Sequence, residues 1–229
     1  MVNPVWVVRK RRMQKWAVAH GVPVPRGLRP AVPTCGEACV ALIRAIETKA
    51  FGPLSVTGMW SERLARLVSP KLTIGEQAMS VAVTQVGVKE HPADSNDGPK
   101  VREYQMTTGA YRQPWCASFV TWCFKQAGKN LEGFNTAYCP SWVDAARAGR
   151  DSLSVVARAD ARAGDVCLFD WGNDGVSDHI GILTSAVDEK GAFHSIEGNT
   201  SAGNDSNGGE VMRRDRNASQ VLVFARVGR

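Results

Sequence analysis

No stretch of this sequence approaches the ~20 consecutive apolar residues that cross a bilayer, so a helical membrane span is excluded. There is no HExxH and no HxH pair, and only four histidines in all, too few for a histidine-rich metal centre. No CxxC pair is present among the six cysteines, which argues against a zinc ribbon or a thioredoxin-type redox site. Met1 to Ala19 is basic but lacks the 7–15-residue apolar core of a secretory signal. The expectation is a chain made in a cytoplasm with no exit signal of its own. Acidic residues are missing from the first 36 positions, which hold seven of the 28 lysines and arginines. The whole net charge of +6 therefore sits in that arm. It suits a polyanion such as a wall polymer, anionic lipid or nucleic acid, or it is a solvated tail. What is present is a globular composition, 44% hydrophobic and 22% charged, in 229 residues, enough for one ordinary domain and a small second one.

Residues 1–34 read as an irregular, basic, proline-rich arm. A helix follows from Gly36 to about Ala50, with Cys39, Leu42, Ile43 and Ile46 on one face. Phe51-Gly52-Pro53 ends it, and a second helix carries Trp60, Leu64 and Leu67. These make a small all-α unit over 35–73. From 74 to 229 the pattern changes. Helices are expected at Glu76–Val86, Lys100–Met106, Pro114–Ala127 and Trp142–Ala148. Strands are expected at Leu153–Val156, Val166–Trp171, His179–Ala186, Ala192–Glu197, Val211–Arg214 and Val221–Val227. Helices first and antiparallel strands later define an α+β domain.

The most informative stretch is Pro114-Trp115-Cys116-Ala117-Ser118-Phe119-Val120. Proline is favoured at the first helical position, which puts Cys116 in the first turn of a helix. Free N–H groups and the positive end of the helix dipole there favour the nucleophilic thiolate. A nucleophile needs a base and the base an orienting group. His20 lies in the arm and His91 precedes a proline in a loop. His179 and His194 remain, on neighbouring strands, and either can face Cys116; His179, which opens the buried run Ile180–Leu183, is preferred. Glu197 and Asn199 alternate on one strand end and so share a face, where either can accept a hydrogen bond from Nδ1–H of the imidazole. Asn199 equally reads as a turn cap. Cys123, Cys139 and Cys167 read as buried core thiols, and Cys35 and Cys39 as reduced. Asp94, Asn96 and Asp97 read as a turn, without the spacing of a calcium loop.

In their order along the chain, several pieces resemble the cysteine, histidine-dependent amidohydrolase/peptidase (CHAP) family. They are Val86-Gly87-Val88-Lys89-Glu90, Ser95-Asn96-Asp97-Gly98, Pro114-Trp115-Cys116-Ala117, Ala163-Gly164-Asp165-Val166, Asp178-His179-Ile180-Gly181, Ile196-Glu197-Gly198-Asn199-Thr200 and Asn207-Gly208-Gly209. The resemblance spans about Glu76 to Val227. It implies a papain-like α+β fold and cleavage of an amide bond in peptidoglycan, by an N-acetylmuramoyl-L-alanine amidase or an endopeptidase. Cys116 would be the nucleophile and His179 the base; Glu197 would orient the base, and Asn199 would be a further polar member. Trp60, Trp115 and Trp171 are expected to contact substrate. No metal or other cofactor is implied: some members bind calcium ahead of the cysteine, but Met106–Gln113 has no acid. Phe51-Gly52-Pro53-Leu54 and Val56-Thr57-Gly58-Met59-Trp60 resemble the small three-helix peptidoglycan-binding domain.

Together these imply a monomeric phage endolysin. It would act at the bacterial wall after release from the host cytoplasm, with no specific nucleic-acid partner and with the basic arm on anionic wall polymer. The alternatives are a tail-associated or bacterial wall-remodelling hydrolase, and a non-catalytic wall-binding protein on a hydrolase scaffold.

Overall fold

Nine consecutive buried residues, Cys116 to Phe124, make the helix Cys116–Gln126 the centre of its domain. A helix that is apolar all round has to be enclosed on every side, and this one is. Helices Ile74–Val83 and Pro99–Met106 cover it on one side and the sheet covers the other. The computed structural model describes residues 4–26, 28, 35, 37–51, 56, 58, 59, 61, 64, 72–205 and 207–228. Two compact units emerge, Met1–Lys71 and Leu72–Arg229.

In the first unit, α1 (Pro4–Ala19) and α2 (Glu37–Phe51) share a core of Met13, Ala17, Val22, Cys39, Leu42, Ile43, Ile46 and Leu64. The arm expected to be irregular is therefore helical over much of its length. Its prolines mislead because Pro4 stands at the helix start, where proline is tolerated, and the others follow its end. Cys35 and Cys39 form a disulfide, not the reduced pair expected. Cys35 lies just ahead of the helix, and its Cα comes to 5.3 Å from that of Cys39, within bridging range. Trp60 and Leu67 lie outside the described residues.

The second unit adds α3 (Ile74–Val83), α4 (Pro99–Met106), α5 (Cys116–Gln126) and α6 (Cys139–Ala148) to six strands. The strands are β1 (Leu153–Val156), β2 (Val166–Phe169), β3 (His179–Leu183), β4 (Ala192–Thr200), β5 (Glu210–Asn217) and β6 (Val221–Val227). They form one antiparallel sheet in the order β1-β6-β2-β3-β4-β5, an α+β architecture with the helices ahead of the sheet. Thr73 and Glu76 build a reciprocal capping box, which starts α3 two residues earlier than its apolar period indicates.

Every residue of β3 is buried. Ile180 and Ile182 join the core around α5, while Leu183 joins Cys167, Phe169, Phe193 and Phe224 in a second cluster. A strand sandwiched in this way reads as a continuous apolar run, and its single polar side chain, His179, stands out chemically. Among the described residues no helix is long and apolar enough to cross a membrane.

Candidate active site

Cys116 is the first residue of α5, with Trp115 as its N-cap. Pro114 thus lies one residue before the cap instead of opening the helix. The cysteine is closer to the unsatisfied N–H groups than the sequence reading had it, and the N–H of Ala117 favours its charged form. Trp115 is fully buried, so its side chain is core and offers no surface to a substrate. Its Nε1–H donates to Glu90 Oε1 at 2.7 Å, and Glu90 Oε2 accepts the N–H of Ser95 at 2.9 Å. The cysteine turn is tied in this way to the 90–98 loop. Behind it, Gly198 lets β4 lie flat on α5: a Cβ there would come within 2.7 Å of the Trp115 ring and 2.8 Å of Phe119 Cβ.

His179 is 0% exposed and opens β3, paired with Phe169 on β2. Asp178 folds the intervening loop back, accepting the N–H of Trp171 at 2.7 Å and of Gly172 at 3.3 Å. That places the Trp171 ring on the imidazole, centroids 5.4 Å apart at 27°. Trp171, half-buried, walls the site and holds the histidine ring. His194 goes elsewhere: its side chain is 65% exposed and pairs with Asp215 at 2.6 Å. His20 and His91 are exposed as well.

Glu197 Oε2 lies 3.3 Å from His179 Nε2. It is therefore Nε2, not the expected Nδ1, that faces the carboxylate, and Nδ1 is the nitrogen left for sulfur. Glu197 is wholly buried and held by three side chains. Arg216 donates from Nε to Oε1 at 2.9 Å and from its terminal nitrogen to Oε2 at 2.6 Å, and the Ser195 hydroxyl donates to Oε1 at 2.5 Å. The guanidinium also stacks over Phe169 and Trp171, 5.2 and 5.3 Å from the ring centroids. Asn199 is buried beyond a register shift in β4 and adopts a left-handed φ of 58°. The strand alternation that would put it on one face with Glu197 is interrupted, and its Nδ2 donates to Asn207 Oδ1 at 3.2 Å.

One neighbour was read as ordinary core. Cys139 opens α6, and its Sγ lies 3.6 Å from that of Cys116. As residues Cys116 and Cys139 keep 5% and 6% exposure, whereas the other free cysteines, Cys123 and Cys167, have none. Cys139 also opens a helix, there with Pro140 after the cysteine inside the first turn, a start signal available in the sequence. Arg216 had none: strand pairing sets it opposite Phe193 and sets Arg214 opposite Ser195, nearer to Glu197, so even the register does not single it out.

The charges in this array reinforce one another. The Cys139 thiol, more than any other neighbour, holds Cys116 well below the ordinary cysteine range; burial opposes this, and His179 assists. Cys139 itself is pushed well up, by its hydrogen bond to Cys116 and by burial. Burial disfavours an imidazolium at His179, but the Cys116 charge and then Glu197 outweigh it and raise its pKa to about 9. Burial also works against a charged Glu197, yet Arg216 foremost and His179 bring it down to about 2. These shifts favour a thiolate at Cys116 beside an imidazolium at His179, backed by an ionised, arginine-clamped Glu197. The Asp97 carboxylate, by contrast, is occupied by Arg102 at 2.5 Å and Arg112 at 3.3 Å.

Gly181 keeps the space Glu197 needs. A Cβ at that position would lie 2.6 Å from Glu197 Cγ and 3.3 Å from the Ile196 carbonyl oxygen, in the middle of a paired strand. Gly181→Ala should cost about 1–3 kcal/mol by overpacking. Any activity of this site should fall further than the folded fraction, because Glu197 is displaced from His179. Thermal melting and an activity assay on the same preparation check this; an active, equally stable variant contradicts it.

Residues 107–199 match the family model for the CHAP domain. Among solved structures, similar chains include a wild-type endolysin, LysIME-EF1, at 16% identity and a TM-score of 0.44, covering 69% of this chain and 65% of that one. Another is Ly7917, at 16% identity and a TM-score of 0.38, covering 69% and 63%. This chain thus spans less than two thirds of the length of either. The comparison with curated proteins gave no match.

Proposed function

We propose, from the match of residues 107–199 to the CHAP domain model, that this chain is a peptidoglycan hydrolase of the endolysin type, cleaving an amide bond of the wall peptide through a cysteine nucleophile. The observation that carries the reading is the contiguous array of Cys116 at a helix start, His179, and Glu197 3.3 Å behind the imidazole.

The thiolate of Cys116 attacks the carbonyl carbon of the scissile amide. Backbone N–H groups of the first turn of α5 lie where the oxyanion develops. His179, already protonated, gives its proton to the departing amine, and water then hydrolyses the thioester with the imidazole as base. Glu197 stabilises the imidazolium and fixes the ring, and Arg216 keeps Glu197 ionised. Unit 1 and its basic arm are read as the wall-binding part, adding contact with anionic polymer to the grip of the catalytic unit.

Digestion of purified sacculi tests the reading. New amino termini without new reducing sugar ends are expected, since an amide and not a glycosidic bond is cut. Mass spectrometry of the fragments separates an amidase, which frees intact stem peptides from the glycan, from an endopeptidase, which shortens stems or bridges. No soluble fragments, or only reducing ends, would overturn it.

A pH dependence follows from the raised His179 pKa. The contribution of the His179 imidazolium to stability is fully present below the ordinary histidine value of 6.5 and is lost as pH rises through about 9. Hydrolysis should fall on the same alkaline limb, because the leaving amine loses its proton donor. Parallel pH–rate and pH–melting curves check this; a rate still climbing well above pH 9 contradicts it.

A further inference from the structure

Cys139 takes part in none of the proton transfers above, yet its sulfur is 3.6 Å from that of Cys116. Both residues open helices, so two rigid elements present their first residues to each other and the contact is built into the packing of α5 and α6. Cys139 is 6% exposed and pinned between Tyr138 and Pro140 at the helix start. The groups facing the pair are unequally distributed. His179, the cation, acts on Cys116 and has Glu197 behind it. The charges acting on Cys139 are the Cys116 sulfur and Asp178, both anionic. A proton shared between the two sulfurs therefore belongs on Cys139, and the negative charge on Cys116.

We propose that Cys139 is a positioning residue of the hydrolase site, its S–H donating to Cys116 Sγ so that the nucleophile is held as an aimed thiolate. The inference rests on the reading of Cys116 as the nucleophile. It adds a third support for the thiolate, beside the helix start and the imidazolium. It also predicts a trade. A hydrogen-bonded, low-pKa thiolate is more abundant at neutral or acid pH but intrinsically less reactive, with a Brønsted slope of about 0.4–0.5.

The test is the pH dependence of Cys116 alkylation by iodoacetamide in the folded protein, read by mass spectrometry of the Cys116 peptide. Cys123 and Cys167, fully buried, stay silent under native conditions. In Cys139→Ala the midpoint should move up by about one pH unit, roughly a tenfold loss of thiolate below it. The alkaline plateau should rise about threefold. Cys139→Ser, which restores a donor, should bring the midpoint at least partly back.

A lower plateau with an unmoved midpoint would mean that Cys139 merely packs, and would overturn the proposal. Should Cys139→Ala not fold, Cys116→Ser gives a second reading. Without the neighbouring thiolate, Cys139 should alkylate with a lower midpoint than in the parent protein; an unchanged midpoint overturns the proposal too. Alkylation needs no wall substrate. A shifted midpoint in a protein that does not digest sacculi would leave this inference standing while removing the hydrolase reading, and active digestion with no shift would do the reverse.

Discussion

Cys116→Ala should lower sacculus hydrolysis by at least about 10⁴-fold while the protein stays folded, because the step that splits the reaction into acylation and deacylation then has no nucleophile. The substitution removes one sulfur from a site with 5% exposure, so the melting temperature should change by only a few degrees. Cys116→Ser should be nearly as inactive: a hydroxyl is far less acidic than a thiol, and the supports around Cys116 cannot ionise it to a useful extent. Cys123→Ala is the control. That thiol lies seven residues further along the same helix, wholly within the core, and its loss should cost stability and not chemistry. Sacculus turbidity assays with thermal melts on all three variants check the set; undiminished lysis by Cys116→Ala would remove the proposed mechanism.

Arg216→Met should destabilise the catalytic unit by about 3–5 kcal/mol, because it strands a buried carboxylate whose main partner is gone. For a domain of this size that is a fall in melting temperature on the order of 10 °C. The pH dependence identifies the cause. Glu197 has its pKa lowered to about 2, so its contribution to stability is present above the ordinary value of 4.5 and lost as pH falls toward 2. With Arg216 gone that pKa rises, and the acid limb of the stability curve should move to higher pH. Hydrolysis should drop as well, since a protonated Glu197 no longer supports the His179 imidazolium. Arg216→Lys keeps the charge but cannot reproduce the two-pronged contact or the stacking on Phe169 and Trp171, and should fall between parent and Met variant. Melting curves from pH 3 to pH 8 check this; a Met variant with the parent's acid limb contradicts it.

Much of the catalytic unit was legible from pattern. Strands β1 and β6 fall at Leu153–Val156 and Val221–Val227, as the alternation and turn residues indicate. The cysteine helix was legible from a proline, a cysteine and an apolar run. His179 was distinguishable because it leads the buried apolar run Ile180–Leu183. The errors have physical reasons. Prolines around a helix were taken for prolines within an irregular chain. Trp115 was expected to contact substrate, whereas its position at the cap of a central helix drives it into the core. Asn199 was paired with Glu197 by strand parity, which a register shift interrupts.

The sequence by itself determined the chemical types and their local setting. A thiol at a helix start, a histidine heading a buried strand and a carboxylate two-thirds of the way along the next are consequences of short-range pattern, because helix caps and strand periodicity act over a few residues. Tertiary structure alone decided which polar groups meet across the fold. Arg216, set opposite Phe193 by the strand register, reaches Glu197 along the sheet face over Phe169 and Trp171, and Cys139 reaches Cys116 where the starts of two helices meet. Those contacts join residues 19 and 23 positions apart. No local propensity specifies such a pairing; it appears only when the buried surfaces of helix and sheet close on each other, and that closure sets the surroundings of Cys116.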